Sequence, residues 1–157
     1  MNIQNIDRLV RRAMRAVGEP AARCSLFVVF FWFGILKPLG VSSAEPLVLK
    51  TVDWMPLLSP VQWLAVIGWW EMAIGLFFLT RKTTRLAIAL LFLQMTGTFM
   101  PLFILPEITF QPNGVPFLPS LEGQYIIKNI IIISAALVIG GNLRGYPQSG
   151  NHSAAAW

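Results

Sequence analysis

The sequence predicts an all-α fold, an integral membrane four-helix bundle with an N-terminal amphipathic interfacial helix. Three observations lead there. Only 12% of the 157 residues are charged and 55% are hydrophobic, whereas a water-soluble domain carries about 25% charged residues. Four apolar runs, at residues 22–39, 61–80, 84–105 and 123–141, each approach the roughly 20 residues that a 30 Å hydrocarbon core asks of a helix. None of them alternates polar and apolar residues as a lipid-facing barrel strand does.

The chain divides into a basic amphipathic helix at 1–20, a four-span membrane domain at 21–142 and a polar tail at 143–157, expected to be disordered. In the first segment Ile3, Ile6, Val10, Ala13 and Val17 recur at helical spacing, with the arginines largely opposite them. That is the pattern of a helix lying on an inner leaflet. A cleaved signal peptide is the rival reading, since Val41-Ser42-Ser43-Ala44 loosely resembles a cleavage site. Lys37 and Pro38 at the end of the apolar run argue against it. Cys24 is the single cysteine, which excludes a disulfide or a two-cysteine relay within one chain.

Start and stop signals follow the spans in order. Ser59-Pro60 offers an N-cap and a proline at the first helical position of span two. Thr83 or Thr84 can cap span three and Ser120 span four, while Gly140-Gly141-Asn142 ends the last helix. Between spans one and two, the stretch 45–54 reads as a short interfacial helix anchored by Trp54. Between spans three and four, Pro112-Asn113-Gly114 separates Ile108-Thr109-Phe110 from Val115-Pro116-Phe117. Asn-Gly between apolar segments predicts a small hairpin or paired turn, stiffened by prolines into a cap over the bundle.

Arg8, Arg11, Arg12, Arg15 and Arg23 precede span one, Arg81, Lys82 and Arg85 fill the turn between spans two and three, and Arg144 follows span four. The positive-inside bias therefore predicts cytoplasmic N and C termini in a bacterial inner (plasma) membrane. The net charge of +5 reflects that topology and contact with the lipid bilayer, and no nucleic-acid partner is expected.

Glu71 is the one carboxylate inside span two, where a charge costs about 2.5 to 3.5 kcal/mol on insertion scales. Gly68 and Gly75 share its face, and such small-residue stripes mark helix-packing surfaces, so Glu71 is expected to point inward. Counted from the outer ends of their spans, Glu71 lies roughly 16 Å deep and Lys128 roughly 9 Å deep. Gln94 falls near the level of Glu71, Thr98 near that of Lys128, and Asn129 adjoins Lys128. A lysine stem of about 6 Å closes most of the gap, so Glu71–Lys128 is the expected ion pair. Gly34 and Lys37 share a face near the outer end of span one, with Lys37 expected to meet Glu45, Glu122 or headgroups. These polar residues either fix helix assembly or line a pocket that binds a quinone-like headgroup or moves a proton.

Other chemistries find no residues. The one histidine, His152, lies in the tail, which excludes bis-histidine haem ligation within one chain. No Cys/His metal cluster, phosphate-binding glycine loop or nucleophile elbow is present.

The segments Phe31-Trp32-Phe33-Gly34-Ile35-Leu36-Lys37, Ser59-Pro60, Glu71 with Gly75, and Glu122-Gly123-Gln124-Tyr125-Ile126-Ile127-Lys128-Asn129 together resemble the DoxX-like superfamily. The similarity runs from about Cys24 to Gly141 and is closest to the YkgB family. Pro38-Leu39-Gly40 departs from the pattern, where a more regular helix end leading to an acidic residue is expected. The resemblance implies a four-helix inner-membrane protein tied to oxidative stress, reactive chlorine resistance, or sulfur and quinone redox systems. It implies Gly34, Lys37, Glu71, Gly75, Lys128 and Asn129 as family positions. The expected role is an accessory in membrane redox homeostasis, with a quinone as candidate ligand and a homo-oligomer or a redox complex as partner. A structural subunit of a larger membrane complex and a small transporter remain the alternatives, and an oxidoreductase acting alone ranks last.

Overall fold

The computed structural model describes residues 3–111 and 118–143. The Pro112-Asn113-Gly114 turn, Val115-Pro116-Phe117, Arg144 and the polar tail with His152 lie outside the described residues. The described chain is helical. Four stretches are long and apolar enough to cross a bilayer: Ile3–Leu36, Pro60–Phe78, Thr84–Ile104 and Leu121–Gly141.

The first of these is composite. Helix α1 (Ile3–Phe27) passes through Pro20 without a break, so the basic segment and span one form one continuous helix. A π-helical turn, Val28–Trp32, follows and leads into α2 (Phe33–Leu36). The helix then ends on Pro38-Leu39-Gly40. Gly40 adopts a φ of +67°, the Gly40 N–H donates to the Lys37 carbonyl, and the Val41 N–H donates to the Leu36 carbonyl. These two bonds around a left-handed glycine make a Schellman cap, which satisfies carbonyls that a helix end leaves open. The departure noted at Pro38-Leu39-Gly40 is thus a helix stop.

Helix α3 (Glu45–Val52) is the short helix expected before span two, and Trp54 just beyond it is exposed. Helix α4 (Pro60–Phe78) starts on a full capping box. The Ser59 hydroxyl accepts from the Gln62 N–H, and the Gln62 side chain accepts from the Ser59 N–H.

Helix α5 (Thr84–Phe99) has Thr83 at its cap position, but the Thr83 hydroxyl donates to the Phe77 carbonyl instead of accepting from the helix. After Met100, α6 (Pro101–Ile104) continues the third span, and α7 (Pro106–Thr109) forms a single turn beyond it. The two arms of the loop between spans three and four pair at Phe110 and Pro119. The Ser120 hydroxyl accepts from the Gly123 N–H at 3.1 Å, capping α8 (Leu121–Ile127) as expected. Lys128 interrupts the last span before α9 (Asn129–Gly141).

Around the bundle α4 packs between α1 and α5, and α9 packs against both α5 and α1, which closes the ring. Its interior is apolar, built from Leu26, Phe30, Ile74, Phe78, Ala87, Leu91, Met95, Ala136 and Ile139. The outer surface is also apolar, with Ile131, Val138, Leu93 and Trp69 all exposed. A bundle apolar inside and out suits a hydrocarbon solvent, in which surface leucine and isoleucine carry no penalty.

Candidate functional site: a buried ion pair behind a glycine crossing

Glu71 faces inward, and the partner that reaches it is Lys37. The Lys37 ammonium forms an ion pair with Glu71 Oε2, and the two side chains are only 7% and 15% exposed. Gln94 of α5 donates from Nε2 to Glu71 Oε1 at 3.2 Å. Three spans therefore meet on one carboxylate, each of whose oxygens accepts a hydrogen bond.

The expected Glu71–Lys128 pair does not form. Lys128 is exposed and lies over the Tyr125 ring, 5.1 Å from its centroid. Asn129 donates to the Tyr125 and Ile126 carbonyls of its own helix, both at 3.0 Å. Thr98 donates to the Gln94 carbonyl one turn back at 3.1 Å. Of the six polar residues singled out from the sequence, the structure joins Lys37, Glu71 and Gln94 and leaves Thr98, Lys128 and Asn129 satisfied locally. Lys37 meets neither Glu45 nor Glu122.

The physical reason lies in the depth of span one. Gly34 packs against Gly68, and a Cβ added at Gly68 would sit 2.6 Å from the Gly34 carbonyl oxygen. A Cβ added at Gly34 would sit 2.9 Å from the Gly68 carbonyl oxygen and 3.0 Å from the Glu71 Cβ. Only paired glycines permit backbones this close. Gly68 lies eight residues into α4, roughly 12 Å along its axis at 1.5 Å per residue. Span one therefore stops well short of the Pro60 end of α4, and Lys37 stands beside Gly68, one turn from Glu71. Helix α3 turns back over the gap, with Leu49, Lys50 and Asp53 facing Pro60 and Val61 across an open groove of about 560 Å³.

Gly75, the third glycine of the stripe, serves the same crossing further inward. A Cβ there would lie 2.9 Å from the Phe31 backbone nitrogen, within the π-helical turn of span one. Just beyond it lies the apolar core, with Ile74 and Phe78 fully buried. The ion pair is thus at the edge of that core nearer the Pro60 end of α4.

Sequence reasoning missed a second buried cation. Arg23, 7% exposed, donates from Nε to Glu19 Oε1 at 3.0 Å and from Nη1 to the Phe78 carbonyl at 3.1 Å. The same Nη1 reaches the Thr84 hydroxyl. Arg23 thus satisfies a carbonyl at the end of α4 and ties it to the start of α5. The signal available was the i, i+4 spacing of Glu19 and Arg23, an orientation that favours helix pairing, with the arginine at the edge of an apolar run.

Sequence and structure have been compared with known proteins. No protein-family model, curated protein or solved structure matches this chain.

Proposed function

We propose that the chain is a small inner-membrane protein of DoxX-like, YkgB type, an accessory in membrane redox homeostasis or oxidant resistance. Its site is the Lys37–Glu71–Gln94 cluster, and its ligand a quinone-like lipophilic molecule. One observation carries the reading: a membrane-depth charge pair retains unused hydrogen-bonding capacity. The Lys37 ammonium uses one of its three N–H groups on Glu71. Gln94 uses one amide proton there, and its carbonyl oxygen makes no hydrogen bond among the described residues. A quinone carbonyl accepts from such N–H donors, and the hydroxyl of the reduced form donates to the carboxylate.

In this reading both termini face the cytoplasm, as the arginines of the 81–85 turn favour. The basic half of α1 rests on the inner leaflet, with its arginines at the headgroups. The bilayer is one partner, and a second copy or a redox complex is the other.

The test is organic extraction of the protein purified from its own membrane. Bound quinone is expected in the parent and is reduced in Glu71→Gln and Lys37→Met. Quinone missing from the parent, or undiminished in both variants, sinks the reading. For orientation, a cysteine introduced at Lys82 in a Cys24→Ser background should resist membrane-impermeant maleimide added from the periplasm.

A second reading, a structural subunit of a larger complex, draws on a specific observation. Neither the cleft between α3 and α4 nor the one beside Arg23 is lined by Lys37, Glu71 or Gln94, and the Lys37 and Glu71 side chains are largely buried. In that case Lys37→Met/Glu71→Leu, which removes both charges, should retain assembly and activity, because an apolar replacement of a buried pair is often neutral. Under the ligand reading the same double variant loses its quinone.

A further inference from the structure

The second cleft lies at the end of the bundle that carries the 81–85 turn. Its volume is about 240 Å³, and Glu19, Pro20, Arg23, Cys24, Leu79 and Arg81 line it. One wall belongs to α1 and the other to the residues that follow α4. The polar residues are two guanidiniums and one carboxylate, so the cleft carries one net positive charge. Lys82 and Arg85, both exposed, lie in the adjoining turn.

The hydrogen bonds of Arg23 are unevenly spent. Its Nε is held by Glu19, and its Nη1 by the Phe78 carbonyl and Thr84. Its Nη2 is buried and has no partner among the described residues. Two N–H donors of a charged group are left without an acceptor in a place where water is scarce. Buried donors of this kind are rare, and each specific case asks for an explanation. Arg81 points to the same answer. It is 79% exposed and approaches Glu19 Oε1 only to 3.8 Å, so its guanidinium is free to turn toward a second anion. The rest of the lining, Pro20, Cys24 and Leu79, is apolar and exposed.

We propose that this cleft binds a phosphate group, with Arg23 and Arg81 as its two donors and Glu19 as the carboxylate that fixes the Arg23 guanidinium. Guanidinium forks match phosphate oxygens in geometry as well as charge. Two sources share that chemistry: the headgroup of an anionic phospholipid, with its acyl chains leaving past Leu79, and a free phosphate from the aqueous side. The site is independent of the quinone reading, which concerns the other end of the bundle.

Native mass spectrometry of the full chain, with phosphatidylglycerol set against phosphatidylcholine, tests the proposal. The parent should retain phosphatidylglycerol selectively. Arg81→Gln, at an exposed position, should weaken retention about tenfold, the loss of one charge-assisted contact, without shifting the thermal midpoint in phosphatidylcholine. Glu19→Gln keeps an oxygen that can accept from Arg23 Nε but removes a competing negative charge, and should strengthen retention. Arg11→Gln removes an exposed charge from the distal part of α1 and should leave it unchanged. Inorganic phosphate that displaces the lipid identifies a site open to free phosphate, and failure to displace it assigns the site to the headgroup. Equal weakening by Arg11→Gln and Arg81→Gln would mean diffuse surface attraction and would overturn the proposal. So would a parent that binds neither ligand more tightly than Arg81→Gln does.

Discussion

Gly34 and Gly68 meet backbone to backbone, closer than any side chain at either position would allow. That contact sets how far span one rises along α4, and so which lysine arrives at Glu71. Helix packing here precedes electrostatics, because the ion pair exists only where two hydrogen atoms stand in place of two side chains.

Gly68→Ala should therefore do more than fill space. Overpacking a tight contact costs about 1–3 kcal/mol, and here it also draws Lys37 away from Glu71. A clearly lowered thermal midpoint in detergent is expected. Gly97→Ala is the control, since a Cβ there has no neighbour within 4 Å. Inside α5 it should be neutral or stabilising by up to about 1 kcal/mol.

The two lysines separate cleanly by mutation. Lys37→Met leaves the Glu71 carboxylate without its cation and should cost about 3 kcal/mol. Lys128→Met removes only a contact with the Tyr125 ring, worth about 0.5–1 kcal/mol at an exposed site. A double-mutant cycle between positions 37 and 71 should show strong coupling in chemical or thermal unfolding, and the cycle between 128 and 71 none. Equal coupling in both would contradict the observed pairing.

The packing of α7 against α8 depends on one further glycine. A Cβ on Gly123 would come within 2.0 Å of the Thr109 carbonyl oxygen, which also accepts from the Ser120 N–H. Gly123→Ala should detach α7 from the start of α8. Limited proteolysis is expected to cut between 105 and 120 faster in this variant, with little change in the core around Ile74 and Phe78.

Leu57 is strained in the opposite sense. It is 93% exposed with a φ of +84°, a region that costs a leucine roughly 1–2 kcal/mol. Leu57→Asn should raise the midpoint in detergent slightly, since asparagine tolerates this backbone better. A fall in stability would mean that the leucine makes a contact its exposure does not suggest.

Much of this architecture was legible because it is local. The Ser59 N-cap, the Ser120 cap and the end of the last helix near Gly141 each follow from a few adjacent residues and the valence of the backbone. Thr83 escaped the same reasoning, because its hydroxyl finds a carbonyl six residues earlier, a partner that exists only once the turn has closed. Arg23 escaped it too. An arginine beside an apolar run counts equally well toward topology, and nothing within the run announces that Phe78 and Thr84 lie beside it.

Taken alone, the order of residues determined that four apolar helices form, roughly where the last three begin and end, and that Glu71 turns toward the interior. It could not determine the partner of that carboxylate. Depth counted along a chain assumes that every span reaches the same plane, whereas tertiary packing set Lys37 beside Gly68, roughly 12 Å from the Pro60 end of α4. Relative height and facing between helices come from the fit of one surface against another, which periodicity within a single helix does not encode. For that reason Lys37 and Gln94 hold Glu71, while Lys128 rests on Tyr125.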